Sequence, residues 1–548
     1  MIQTSRNTVQ HLSALRLLSP TSLRLLISLF AAWLSLVTPV AAEDTRIVAD
    51  VLLSGGTIVD GSGAPGVIGD VALRGDKVVA VGKFDTSRVG LIIDCQGLVV
   101  TPGFIDLHNH SDSQMVDRLT RANVNFLTQG CTTIVTGNCG AGPIDVEAYF
   151  KKIDAEGVGT HVIHLLPHGS LRAQILGAVD RAPTAHELQK LTTLAEKAMR
   201  DGAWGMSTGL IYVPGTYSKT DELVEIAKVV AAHGGLYASH IRNEGLQLLE
   251  SVNEAIEIGR QAKLPVHVSH FKASGPEAWG LVKRAADEIE KARQSGVVVT
   301  ADQYPYIASS TSLEAMLLPS WARAGGQEAL FKRLNDAEVG ARIRDSILAE
   351  LALREQAPIR IARYKAKPKW VGRSLTEIAD LEQRPAVDIV LEITRDGGAA
   401  AVSFSMSEED VRFVMQLPWV ATASDGRAYL PDADRPHPRS YGTFSRKIGR
   451  YALKEEVVTL EQAVRSSSGL PADILKLTDR GYLKAGLVAD VAVFDPKTFL
   501  DTGTFESPHQ YSTGIRYVYV AGQPAIHAGV PTGTLAGKAL RHPLIGKD

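Results

Sequence analysis

Cysteine is scarce in this 548-residue chain, aromatic residues make up 6% of it, and neither sign of charge prevails. Three cysteines, Cys95, Cys131 and Cys139, exclude a disulfide framework for a protein of this size, and an odd count leaves at least one thiol free. With 58 Lys and Arg against 60 Asp and Glu, the net charge of -2 provides no field that would gather nucleic acid or another polyion. Small-molecule chemistry is the expectation. Long apolar runs are also missing: the longest, Leu25 to Val37, falls short of the ~20 residues of a membrane-spanning helix.

That run has a different use. Arg6, Arg16 and Arg24 precede it, and Thr38-Pro39-Val40-Ala41-Ala42 follows with the small residues of a cleavage site. Residues 1–42 therefore read as a signal peptide, with a membrane anchor as the competing reading. The expected mature protein is periplasmic or secreted and has no membrane partner after cleavage.

What is present is 45% hydrophobic residues, enough to bury a large core. From Phe104 onward short apolar runs alternate with amphipathic stretches such as Glu187 to Arg200 and Glu277 to Gln294, the pattern of parallel strands with helical crossovers. Strands are expected at 104–110, 132–139, 160–168, 203–210, 235–240, 265–270, 297–304 and 419–425. Eight of them predict an α/β fold of the (β/α)8 barrel type over residues 104–480, with a doubly wound open sheet as the alternative. An insert at about 312–405, a lid or small domain, separates the last two strands. Residues 43–103 and 481–548 carry short alternating strands and are expected to build one small β-sandwich from the two chain ends.

The chemistry begins at Phe104-Ile105-Asp106-Leu107-His108-Asn109-His110, where two histidines one residue apart share a face at a strand end. Cys139, His240, His270 and Asp425 stand at the ends of other expected strands. A barrel brings such positions to one mouth, so six potential metal ligands face one cavity. Imidazole, thiolate and carboxylate together point to Zn2+. His267, three residues before His270, is assigned to packing. In an oxidising compartment Cys131 and Cys139 could instead pair.

At these motifs the chain resembles the amidohydrolase superfamily, and within it the N-acyl-D-amino-acid deacylases, or D-aminoacylases. The resemblance rests on Gly137-Asn138-Cys139-Gly140, Ser207-Thr208-Gly209-Leu210-Ile211-Tyr212, Ser239-His240-Ile241-Arg242-Asn243-Glu244, Asp302-Gln303-Tyr304 and His437-Pro438-Arg439-Ser440. Gly202 to Leu210 lacks the lysine that hydantoinases use to bridge two metals, and a cysteine in its place fits the deacylase pattern. The resemblance implies one tight zinc on Cys139, His240 and His270, with Asp425 as proton shuttle. It implies a weaker second position involving His108 and His110. Tyr212 would assist the oxyanion, while Lys272, Tyr304, Ser310 and Arg439 would hold the free carboxylate of a small-molecule substrate. Phe271 and the length of the Ser310–Met406 segment depart from the family pattern near the substrate end. The alternatives are an amidohydrolase acting on cyclic amides, dipeptides or amide-linked xenobiotics, and a metal-free binding or assembly module.

Overall fold

The computed structural model describes residues 46–543; the expected signal peptide lies outside the described residues. Strands β1 (Phe104–Asp106), β2 (Cys131–Thr136), β3 (His161–His164, resumed at Leu166–Pro167), β4 (Gly205–Gly209), β5 (Leu236–His240), β6 (Val266–Val268), β7 (Val299–Gln303) and β8 (Val420–Thr422) run parallel in that order. The ring closes just beyond the last strand: Asp425 N–H donates to His108 O at 2.8 Å, and His110 N–H donates to Gly426 O at 2.8 Å. A barrel, not an open sheet, is what these bonds make.

Adjacent residues of each strand serve opposite cores. Ile134, Val162, Tyr237 and Val420 pack outward against the helices, while their successors Val135, Ile163, Ala238 and Ala421 fill the barrel interior. Helices such as Ala185–Arg200, Thr220–Ala232, Leu248–Ala262 and Leu281–Gln294 form the outer ring. Each turns an apolar stripe inward, as Leu191, Ala195, Ala198 and Met199 do on the first.

Several strands are shorter than expected. The first stops at Asp106, the second at Thr136, the sixth at Val268 and the eighth at Thr422. The residues beyond those ends leave the extended conformation, and that departure shapes the site.

Strands from both chain ends share one continuous nine-stranded sheet, in which Val99–Pro102 pairs antiparallel with Val491–Phe494. Ile47–Ile58 carries a bulge between Leu53 and Gly56, and along its length it pairs first with Thr86–Asp94 and then with Val99–Val100. A sandwich-like core that includes Leu53, Val71, Ile93, Val100 and Val491 results from this fork in a single sheet. The last described residues leave it: Leu540 N–H donates to Val162 O, and Trp204 Nε1 donates to Leu540 O at 2.6 Å.

Between β7 and β8, the strands Ser309–Ser312, Ile359–Arg363 and Ala400–Ser403 form a small antiparallel sheet. It is backed by helices including Ala337–Leu353 and Ala386–Arg395, with a hydrophobic core of its own around Trp370 and Ile378. This insert stands over the barrel mouth.

Candidate metal centre and active site

Three of the expected ligands sit two or three residues past a strand end in left-handed backbone: Cys139 at φ 51°, His270 at φ 37° and Asp425 at φ 49°. Such conformations are costly for residues with a Cβ and persist only where the surroundings enforce them. Here they turn each side chain back over the barrel axis. At Gly137, also left-handed at φ 76°, a Cβ would come within 2.1 Å of Leu165 O, so glycine is required for the turn that delivers Cys139.

The side chains converge. Cys139 Sγ lies 3.2 Å from His108 Nε2, 3.7 Å from His240 Nδ1 and 3.7 Å from His270 Nε2. His110 Nε2 is 3.1 Å from Asp425 Oδ1 and His108 Nε2 is 3.6 Å from it. The ligand atoms fall into three overlapping triads, His108-His110-Cys139, Cys139-His240-His270 and His108-His270-Asp425, each within 4.8 Å. A thiol, imidazoles and a carboxylate at this spacing fit a zinc ion.

Electrostatics favour the same reading. Burial pushes the Cys139 thiol up, but His108, with hydrogen bonds from His108, His110 and His240, holds it well below the ordinary thiol range. Burial alone would lower His110, yet Asp425 and Cys139 raise it to about 9. His240 is lowered by burial and stays neutral. The negative charge on sulfur and carboxylate is thus matched by protons that a metal ion would displace. All three cysteines of the chain are free, which removes the Cys131–Cys139 disulfide.

Two carboxylates that sequence reasoning left unassigned orient the histidines. Asp302 Oδ1 accepts the His270 backbone N–H at 2.7 Å, while its Oδ2 lies 3.4 Å from His108 Nδ1 and 2.8 Å from His267 Nε2. His267 therefore packs behind the site and braces Asp302. Glu244 Oε1 is 2.9 Å from His270 Nδ1. Burial opposes ionisation of both acids, but their cationic neighbours, His108 first for Asp302 and Lys272 first for Glu244, hold them well below the usual carboxylate range. Carboxylates on the far nitrogen of a metal-binding histidine fix its tautomer and ring orientation.

A cavity of about 930 Å3 opens above the cluster, lined on the barrel side by His110, Cys139, Tyr212, Asp425 and Arg439 and on the insert side by Ser310, Glu314, Tyr364 and Gly398. A sequence profile of the Amidohydrolase family matches residues 91–526. The chain belongs to the amidohydrolase family. It is 36% identical over 516 residues to a D-aminoacylase of Alcaligenes xylosoxydans xylosoxydans, covering 90% of this chain and 97% of that one. Two solved structures align with 90% of this amidohydrolase and with their own full length, each at 33% identity. One, at a TM-score of 0.78, is a D-aminoacylase with a binuclear metal centre, in which one metal activates and the second attenuates. The other, at 0.77, is the N-acyl-D-glutamate deacylase of Bordetella bronchiseptica, complexed with zinc and a phosphonate mimic of the reaction's tetrahedral intermediate.

The residues expected to hold a substrate carboxylate divide in this amidohydrolase. Arg439 and Ser310 line the cavity; Lys272 and Tyr304 are buried outside its lining. Arg439 Nη1 lies 2.8 Å from Asp425 Oδ2, and its guanidinium stacks 4.7 Å from the Tyr304 ring centre. Ser310 Oγ donates to Ala401 O at 2.9 Å. Lys272 donates to Glu244 Oε1 at 2.5 Å and to His270 O at 3.0 Å. A lysine so engaged acts first on the Glu244–His270 pair, whereas sequence reasoning gave it a substrate contact alone. Among the described residues the buried Tyr304 hydroxyl has no partner.

Tyr212 lies 5.0 Å, ring to ring, from His240, and its hydroxyl is 2.9 Å from Thr311 Oγ1. The segment after it is clamped from two sides. Arg242 donates to Thr216 O and Ser218 O, each at 3.0 Å; the buried Glu222 takes Ser218 Oγ, His168 Nε2 and Arg172 Nε within 3.1 Å.

Proposed function

We propose that this amidohydrolase hydrolyses N-acyl-D-amino acids to a D-amino acid and a carboxylate, using one tightly held zinc ion. The observation that carries the reading is the convergence of Cys139, His240 and His270 with Asp425, of which Cys139 and Asp425 line one cavity. The D-aminoacylase relative and the zinc-bound N-acyl-D-glutamate deacylase support it.

Cys139, His240 and His270 would hold the ion, with His108, His110 and Asp425 offering a weaker second position. The metal would supply Lewis-acid polarisation of the acyl carbonyl and acidification of water at neutral pH. Asp425 is suited to move the proton: burial opposes its charge, but Arg439 and His108 keep it ionised well below the usual carboxylate range. It would accept a proton from the attacking water and deliver it to the departing amine nitrogen, whose basicity draws that proton off a weakly basic carboxylate. Burial raises the Tyr212 phenol, so the hydroxyl keeps its proton and can donate to the oxyanion. Arg439 at the cavity wall would draw the substrate's free carboxylate, with Lys272 adding charge from behind Tyr304. The basic and then apolar N-terminus supports export to a periplasm or beyond the cell.

Matched N-acetyl-D- and N-acetyl-L-amino acids, assayed on zinc-loaded protein whose metal content is measured on the same sample, test the reading. Turnover of the D series with about one zinc per chain is expected. Bound zinc with no turnover of the D series would overturn it.

A further inference from the structure

Beside the main cavity lies a second chamber of about 370 Å3, joined to it along Tyr212, Val213, Ser312, Glu314 and Gly397. Its remaining wall comes from the insert and includes Arg323 and Gln327. Two ionisable groups meet this space with unused bonding capacity. Among the described residues no hydrogen bond or ion pair reaches the Glu314 carboxylate, which lies against the backbone of the left-handed Gly398, where a Cβ would come within 2.9 Å of Glu314 Oε1. Arg323 spends Nη2 on Ile211 O at 3.2 Å, while its buried Nε has no partner among the described residues. The two do not neutralise each other by direct contact, although each feels the other's charge.

A chamber with a carboxylate and a guanidinium, both unsatisfied, discriminates by charge as well as by shape. A carboxylate entering it gains Arg323 and meets Glu314; an ammonium gains Glu314 and meets Arg323; an alkyl chain leaves both without partners. A group that accepts and donates from one end satisfies both, and a primary carboxamide does so with a single acceptor oxygen and two N–H donors. We propose that this chamber receives the carboxamide of a D-glutamine-type side chain, with its oxygen toward Arg323 and its amino group toward Glu314. The inference rests on the deacylase reading and names the substrate class within it. The chamber opens beside Tyr212, next to the metal ligand His240, so a side chain extending from a substrate at the metal can enter it.

The test compares kcat/KM of the zinc-loaded protein for N-acetyl-D-glutamine, N-acetyl-D-glutamate, N-acetyl-D-lysine and N-acetyl-D-leucine. Glutamine is expected to exceed the other three by at least ~10-fold, as for a site built to hydrogen-bond its substrate. Glu314→Ala, or the shape-preserving Glu314→Gln, should move the glutamate-to-glutamine ratio up by about 10-fold, and Arg323→Met should move the lysine-to-glutamine ratio up similarly. Ratios taken within one preparation do not depend on how much of a variant folds. A preference for leucine, or ratios that neither variant moves, would overturn the chamber assignment while leaving the deacylase reading intact. A carboxamide preferred on the acyl side, as N-succinamoyl-D-alanine over N-acetyl-D-glutamine, would overturn its placement on the side chain. Absence of turnover with all of these and with N-acetyl-D-alanine would remove the deacylase reading and this inference together.

Discussion

Asp425 answers two demands with one carboxylate. One oxygen lies 3.1 Å from His110 and the other 2.8 Å from Arg439, so the group is charged and oriented before any substrate arrives. Asp425→Asn keeps the size and removes the basicity. It should retain zinc on Cys139, His240 and His270 while turnover falls by about 10^2-fold or more, measured as kcat beside metal content. Glu244→Gln should act in the opposite order, since it touches His270 and Lys272: metal affinity falls by about 10-fold or more, and added zinc restores much of the turnover. At this scale residue types were readable from the sequence, because histidines, a cysteine and an aspartate after apolar runs point to a metal. Their supports were not. Asp302 reaches His108 across 194 positions of chain, and no local pattern around either residue reports that distance.

At the scale of elements, apolar runs marked every barrel strand, because two-faced burial demands them. Strand ends escaped notice for a physical reason: Cys139, His270 and Asp425 adopt positive φ without being glycine, a conformation that such residues take only where tertiary surroundings enforce it. The segment following Tyr212 shows what holds an irregular stretch in place. Glu222 and Arg172 are both buried, and Arg172 also donates to Arg181 O at 2.6 Å, so removing the guanidinium strands a charge. Arg172→Met should cost about 3 kcal/mol in urea-unfolding experiments, and turnover should fall with it as Tyr212 loses its support.

Across the whole molecule, Asp490 ties the shared sheet to the barrel. It accepts Arg480 Nη1 at 2.8 Å and the Ala521 N–H at 2.8 Å, and it faces His161 of β3 at 3.3 Å. Burial opposes its charge, but His161 and Arg480 bring it down to about 2. A depressed carboxyl stabilises the fold fully above its unfolded value near ~4, and that contribution is lost as pH falls toward 2. Wild type should therefore exceed Asp490→Asn by on the order of 2 kcal/mol at neutral pH, with the gap closing between about pH 4 and 2 in urea midpoints.

The sheet built from both chain ends also sets an order of events during synthesis. Thr101 bonds Ala492 across 391 positions, so the edge of Val99–Pro102 stays bare until almost the whole polypeptide has been made. Contacts so distant in sequence form late and slowly, and an open strand edge is a template for pairing with another chain. A translation product that stops before Val491 thus carries an adhesive edge directly ahead of the first barrel strand, and the finished C-terminal segment acts as a built-in guard against self-association.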